Sequence, residues 1–205
     1  MLADLSIKDF LAKTASKDPV PGGGSISALC AAVAAALSEM VAHLTIGRKG
    51  YEECASEMEE IAKEANRYRE KLVQDIDRDS DAYAAVMAAF QLPKGTDEEK
   101  AKRTEAVQNA LKNAARVPMS VAEDAFNIIE IAGKALEKGN RNAVTDAAVA
   151  AMSARTAVLG ALYNVKINLA SIKDAEFIGE LRERVGFLER QVGIKEKEIL
   201  SKAGL

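Results

Sequence analysis

Apolar positions recur at helical spacing along almost the whole chain. Over residues 5–16, Leu5, Phe10 and Leu11 stand among charges, the pattern of a short amphipathic helix. The stretch "KDPVPGGG" stops it, because two prolines and three glycines cannot continue a helix. The next helix is predicted to start near Ser25, a residue type favoured at N-caps. Leu29, Val33, Leu37, Met40 and Leu44 then follow at helical spacing with small apolar residues between them, which predicts a helix buried on most sides. "GRKG" at 47–50 breaks that run. From about Tyr51 to Leu92 there is no Pro or Gly. At 1.5 Å per residue this helix would be about 60 Å long, which calls for a partner along its flank.

Pro93 ends the long helix, and "TDEE" opens the next with a capping box, Thr96 as N-cap and Glu99 three residues on. That helix is predicted to run to about Arg116. Pro118 should kink or split it, and a further segment should reach Lys138 with Gly139 at C′. "NRNAVTDAAVAAMSARTAVLGALYNVKINL" reads as another apolar helix, and Asp174 is placed to cap a last, amphipathic one. No segment reads as a strand. The expectation is all-α: a bundle of about six to eight helices, some of them long, forming one domain over residues 1–205.

Composition narrows the function classes. Hydrophobic residues make up 48% and charged residues 29%, as in a globular chain. Aromatics are only 4%, so alanine supplies much of the apolar surface and favours closely packed helices. The net charge is −3 with no unopposed Lys/Arg block, which speaks against nucleic-acid binding. The two cysteines, Cys30 and Cys54, form no CxxC pair and fit a reducing compartment. The N-terminus carries acids and lysines where a secretion signal needs an apolar core. The apolar run 25–46 contains Ser25, Ser27, Ser38, Glu39 and His43, as expected of a buried core helix rather than a membrane span. A cytoplasmic protein that uses neither membrane nor nucleic acid is expected.

Three constellations offer chemistry. The first is the loop Pro21, Gly22, Gly23, Gly24 and Ser25. Its free N–H groups at a helix start suit an anion, but the GxxxxGK[ST] and GxGxxG spacings of nucleotide loops are absent. The competing reading is a sharp turn that lets backbones approach closely. The second is "QDIDRDSDAYAAV". It fails as a calcium loop, because Ser80 and Val86 stand where glycine and glutamate are required. Asp79 shares a helix face with Ala82, Tyr83 and Val86, and a carboxylate on an apolar face either pairs with a base or does proton chemistry with a raised pKa. Asp77 and Asp81 read as solvated acids. The third is Asp146, Asn164 and Asn168 in an apolar helix. The two asparagines share a face and either bond neighbouring backbone or line a polar pocket. His43 has no second histidine to join it in a metal site or triad and reads as a satisfied core or interface residue; Cys30 reads as a small core residue.

Four blocks, "PVPGGGSISALCAAVAAALSEMVAHLTIGRKGY", "DRDSDAYAAVMAAFQLPKGTDEEKAKR", "GNRNAVTDAAVAA" and "YNVKINL", resemble in order the formiminotetrahydrofolate cyclodeaminase / methenyltetrahydrofolate cyclohydrolase family. The resemblance implies an all-helical, dimeric enzyme without metal or separate cofactor, whose substrate is a tetrahydrofolate one-carbon derivative. It maps the family's catalytic aspartate onto Asp79, with Tyr83 where the family has Phe. It maps the glycine loop onto Pro21 to Ser25, the aspartate after "GN" onto Asp146, and "NVxINL" onto Asn164 to Leu169. Arg48, Lys49 and Lys94 are candidates for the anionic glutamate tail, Lys49 with the strongest claim to being a plain surface residue. The family occurs as a stand-alone chain or as half of a bifunctional enzyme, and this chain is too short to carry the formiminotransferase half.

Two other readings compete: a non-catalytic helical dimer that binds folate or another anion through the loop, and a purely structural bundle. The second leaves Asp79, Asn164 and the triple glycine without a shared purpose.

Overall fold

The computed structural model describes residues 1–204. Its six α-helices are α1 Ile7–Thr14, α2 Gly23–His43, α3 Ala55–Phe90, α4 Asp97–Lys138, α5 Val144–Leu169 and α6 Ala175–Ser201. Short 3₁₀ turns at Leu2–Asp4, Glu52–Cys54 and Arg141–Ala143 precede α1, α3 and α5.

Starts and stops follow local chemistry. Ser6 caps α1, Asp174 caps α6, and Thr96 with Glu99 forms the full capping box that opens α4. The start of α2 differs from expectation. Ser25 lies inside the helix, and Gly22 caps it without any side-chain bond of its own. Gly139 ends α4 in extended, not left-handed, backbone. Space is what requires glycine there, since a Cβ would stand 2.3 Å from the Ala135 carbonyl oxygen and 2.8 Å from Val41.

Pro118 neither splits nor ends its helix; α4 is continuous over 42 residues, about 63 Å. A proline inside a helix leaves the carbonyl four residues earlier without its donor. Here that carbonyl belongs to Ala114, and the Asn168 amide of α5 fills it at 2.8 Å.

The antiparallel pair α2 and α5 sits at the centre, α2 packing on α3, α4 and α5, with α6 against α4 and α5. Alanines make this close approach possible: Ala28, Ala31, Ala34 and Ala35 on α2 and Ala147, Ala150, Ala154 and Ala157 on α5 are fully buried. At Gly160 a Cβ would meet the Ser27 hydroxyl at 2.5 Å, so the two backbones touch where both side chains are small. Long side chains such as Met58, Leu72, Ile128 and Leu162 fill the remaining layers. By length and composition, α2 and residues 141–169 would suffice to cross a membrane, and about half of each is buried in the bundle. Their other sides are exposed and apolar, with Val33 and Met40 on α2, Leu44 at its C-cap, and Val149, Met152, Tyr163 and Ile167 on α5.

A charged network ties α3 to α4. Asp75 is fully buried and pairs with Lys71 and Arg78, and Lys71 also pairs with Asp124 and reaches the Ser120 hydroxyl at 3.0 Å. Asp77 is not a free solvated acid: its carboxylate accepts the Leu2 and Ala3 N–H groups at 2.5 and 3.3 Å and pins the N-terminal turn to α3. Asp81 is exposed, as expected.

Candidate active site

A cavity of about 370 Å³, within the usual range for small-molecule sites, opens where α2 begins and α5 ends. Its floor is the glycine loop, one wall is Asp79, Ala82, Tyr83 and Val86 of α3, and the other is Asn164, Ile167 and Asn168 of α5. Ala114 of α4 closes the back. A larger cavity of about 680 Å³ lies between α4 and α6, but its Asp124 and Glu123 are already paired with Lys71 and Arg184. Chemistry therefore favours the smaller one.

The glycines are there for close approach. A Cβ at Gly24 would stand 2.0 Å from Asp79 Oδ1, and one at Gly23 would stand 3.2 Å from Asn164 Nδ2. The first turn of α2 is thus wedged between the carboxylate of α3 and the amide of α5. The Ser25 hydroxyl is buried and lies 3.0 Å from both Asp79 Oδ2 and the Ile76 carbonyl oxygen. Asp79 supplies from α3, to the Ser25 backbone N–H, the acceptor that Gly22, having no side chain, cannot offer to the start of α2.

Burial pushes the Asp79 carboxyl above the ordinary carboxylate range, and the Ser25 hydroxyl and backbone N–H pull it part of the way back. No charged neighbour contributes to the shift. Among the cavity's lining residues only Asp79 and Tyr83 can ionise, and none is a lysine or arginine.

The asparagines do both things that their spacing left open. Asn164 Nδ2 donates to the Gly160 carbonyl at 2.9 Å, and Asn168 Nδ2 donates to the Ala114 and Asn164 carbonyls at 2.8 and 3.0 Å. Asn168 thus spends both amide N–H groups on backbone and Asn164 spends one, and both side chains line the cavity.

The chain resembles known proteins over nearly its whole length. The model of the formiminotransferase-cyclodeaminase family matches residues 6–186. The chain belongs to that family. A methenyltetrahydrofolate cyclohydrolase of Methylorubrum extorquens is 38% identical over 96% of this chain and 95% of its own length. The formimidoyltransferase-cyclodeaminase of Rattus norvegicus is 35% identical over 91% of this chain, which spans 35% of that longer protein. The crystal structure of a formiminotetrahydrofolate cyclodeaminase from Thermotoga maritima superposes with a TM-score of 0.88 at 32% identity, covering 99% of this chain and 98% of that one.

Within this family fold, the residues singled out from sequence separate into two groups. Gly22, Gly23, Gly24, Asp79, Asn164 and Asn168 line the cavity. Ser25 is buried behind it and touches Asp79, and Pro21 is buried beside it. Arg48, Lys94 and Asp146 do not line it. Lys94 is exposed between α3 and α4, and Arg48 is exposed beyond the far end of α2. Asp146 sits in the first turn of α5, about 27 Å along that helix from Asn164. His43 is exposed rather than buried, with Nε2 3.7 Å from Glu39, and Cys30 packs half-buried against the core.

Pro19, Val20 and Ala114 also line the cavity, and no motif or helix face in the sequence singled them out. Ala114 could not have been, because only the Pro118 vacancy and the crossing of α4 with α5 bring its backbone there.

Proposed function

We propose that this chain performs tetrahydrofolate one-carbon chemistry at the Asp79 cavity. The reactions are hydrolysis of 5,10-methenyltetrahydrofolate to the 10-formyl compound and cyclising deamination of 5-formiminotetrahydrofolate to the methenyl compound. The observation that carries the reading is a single carboxyl group, raised by burial and free of charged neighbours, in a cavity with apolar walls and amide side chains. The names of the related proteins support the same substrate class.

The methenyl bridge is an amidinium whose positive charge sits on the carbon between N5 and N10. The Asp79 carboxylate stabilises that cation. As a water oxygen bonds to the bridge carbon, Asp79 takes one of its protons. The tetrahedral carbinolamine then breaks its bond to N5. Asp79 returns its proton to N5, the hydroxyl proton leaves to solvent, and the formyl group remains on N10. One proton is released overall. For deamination the formimino group reacts in its protonated form, –CH=NH2+: N10 attacks its carbon, the C=N bond becomes C–NH2, Asp79 accepts the N10 proton and passes it to that nitrogen, and the C–N bond breaks to release ammonia and leave the positive charge on the methenyl bridge. A carboxyl with a raised pKa suits both directions, because it must hold the proton between the two steps.

Tyr83 and Ile167 offer flat apolar contact to the ring system, while the Asn164 and Asn168 oxygens accept from its N–H groups. The folate derivative is itself the substrate, Asp79 does the acid–base work, and the working form is a cytoplasmic homodimer.

The test is the near-UV absorbance of 5,10-methenyltetrahydrofolate mixed with protein against a buffer blank. Faster loss with the wild-type chain, abolished in Asp79→Asn without loss of ligand affinity, supports the reading. No acceleration here, and no chromophore appearing from the formimino compound, would leave only a binder.

A further inference from the structure

The outer face of α2 carries Ile26, Cys30, Val33, Leu37, Met40 and Leu44, spaced alternately four and three residues apart. That is the seam of a coiled coil. Val33, Met40 and Leu44 are 44%, 37% and 47% exposed, with the other three partly buried. The exposed apolar side of α5 lies beside this seam, because α5 runs antiparallel to α2 in contact at Ser27 and Gly160. Together they make an apolar face about 27 Å long and about 20 Å wide. A face of that size equals the largest apolar patch that a protein ordinarily exposes, the kind that is often functional. The face runs into the cavity at Ile167.

The cavity holds no cation, although the proposed substrate ends in carboxylates. At the far end of α2 the balance is reversed. Arg48, Lys49 and Arg141 are exposed there and form no ion pair among the described residues. Asn140 bonds Thr45 and Leu44, and the Arg141 N–H bonds the Tyr51 hydroxyl, so the backbone beneath these cations is fixed.

We infer that two copies of this chain pair antiparallel along α2, so that Arg48 and Arg141 of each copy complete the Asp79 cavity of the other and hold the anionic end of its ligand. A two-fold axis through the middle of the seam sets Ile26 opposite Leu44, Cys30 opposite Met40 and Val33 opposite Leu37. The same register sets Arg48 of the second copy opposite Gly22, at the cavity mouth. Charge selects this direction. Parallel pairing would gather Arg48, Lys49 and Arg141 of both copies at one end and both Asp79 carboxylates at the other. Antiparallel pairing sets each cationic end against an anionic one and also opposes the helix dipoles.

The ligand assigned here rests on the folate reading, whereas the pairing does not, and two experiments separate them. In Met40→Cys, mild oxidation or a short bis-maleimide should give a covalent dimer joined through native Cys30, shown by mass spectrometry of the linked peptides. A Cys30–Cys30 link in the wild type, or a monomer by light scattering, would overturn the antiparallel pairing. For the shared site, Asp79→Asn is co-expressed with the double variant Arg48→Ala, Arg141→Ala under different tags, and the mixed dimer is isolated by tandem purification. One of its two sites is intact, so turnover should recover to about half of wild type, although both parent dimers are poor. A mixed dimer no better than its parents would overturn the assignment of the arginines. If the wild type leaves the folate chromophore untouched, the folate reading fails. The arginine's position is then read by cross-linking Arg48→Cys to Val20→Cys across a mixed dimer; no link would overturn it.

Discussion

Replacing Gly24 with alanine should separate stability from turnover. Gly24 is the second residue of α2, where alanine is intrinsically favoured over glycine by about 1 kcal/mol. The added Cβ would, however, stand 2.0 Å from Asp79 Oδ1 and 2.5 Å from its Cγ. Restoring an ordinary contact of about 3.5 Å moves the carboxylate by about 1.5 Å. Pushing the side chain off its rotamer costs about 1 kcal/mol, and losing the Ser25 donor costs about 2 kcal/mol more. Part of that is recovered as the displaced carboxylate regains water, so the net change in stability should stay within about 2 kcal/mol. Misplacing a reacting group by about 1 Å costs about 100-fold in rate. The assays are a thermal melt and the loss of the methenyl chromophore. The expected result is a melt lowered by no more than about 8 °C with turnover down about 100-fold. Gly23→Ala is the control, since its Cβ meets only the Asn164 amide at 3.2 Å and a small shift relieves it. If Gly24→Ala keeps turnover within about threefold of wild type, the position of the Asp79 carboxylate is not what sets the rate.

Asp79→Asn should lower kcat by about 100- to 10,000-fold while leaving ligand affinity within a few-fold, measured by stopped turnover and equilibrium titration. Asp79 works as a base when ionised, so kcat should fall as pH drops through a pKa above the ordinary carboxylate range, and Asp79→Asn should flatten that limb of the profile. Stability should show the opposite sign. The folded state binds this proton more tightly than the unfolded chain, so Asp79 costs nothing below its unfolded pKa. The cost grows as pH rises from there through its raised folded value. The Tm advantage of Asp79→Asn should grow over the same window; an advantage that shrinks would contradict the raised pKa. Pro118→Ala restores a helix donor to the Ala114 carbonyl, so it should raise stability by about 1–2 kcal/mol and, by releasing Asn168, raise KM. An unchanged KM would mean that Asn168 needs no such anchor. Asp75→Ala should cost only about 1–2 kcal/mol by chemical denaturation, because Lys71 keeps Asp124 and the half-exposed Arg78 turns to water.

Much of this was legible in the sequence because helices are local. The capping box at Thr96, the Asp174 cap and the stops at Gly47 and Pro93 are written within a few residues of where they act. Asp79 was legible too, since its helix face places it among Ala82, Tyr83 and Val86. What escaped depends on contacts between distant segments. Ser25 looked like an N-cap because the carboxylate that serves the start of α2 is 54 residues away. Asp77 looked solvated because its partners are the first residues of the chain. Pro118 looked like a break because the group that takes over its missing bond comes from another helix. Asp146 was chosen by motif and Arg48 and Lys94 by charge, and neither a motif nor a charge says where along a helix bundle a residue will come to lie.

The Pro118 vacancy also bears on how the chain finds a single fold. Two helices faced with alanine present smooth surfaces, and sliding one past the other by a turn, about 5.4 Å, would bury nearly the same area. A lone unclaimed carbonyl on α4 breaks that degeneracy. A one-turn slide of α5 in one direction leaves that carbonyl dry, and in the other it brings Asn164 there only by taking it away from Gly23. The proline thus works as a notch and Asn168 as the tooth that fits it, giving two otherwise featureless rods a unique alignment where the cavity must form.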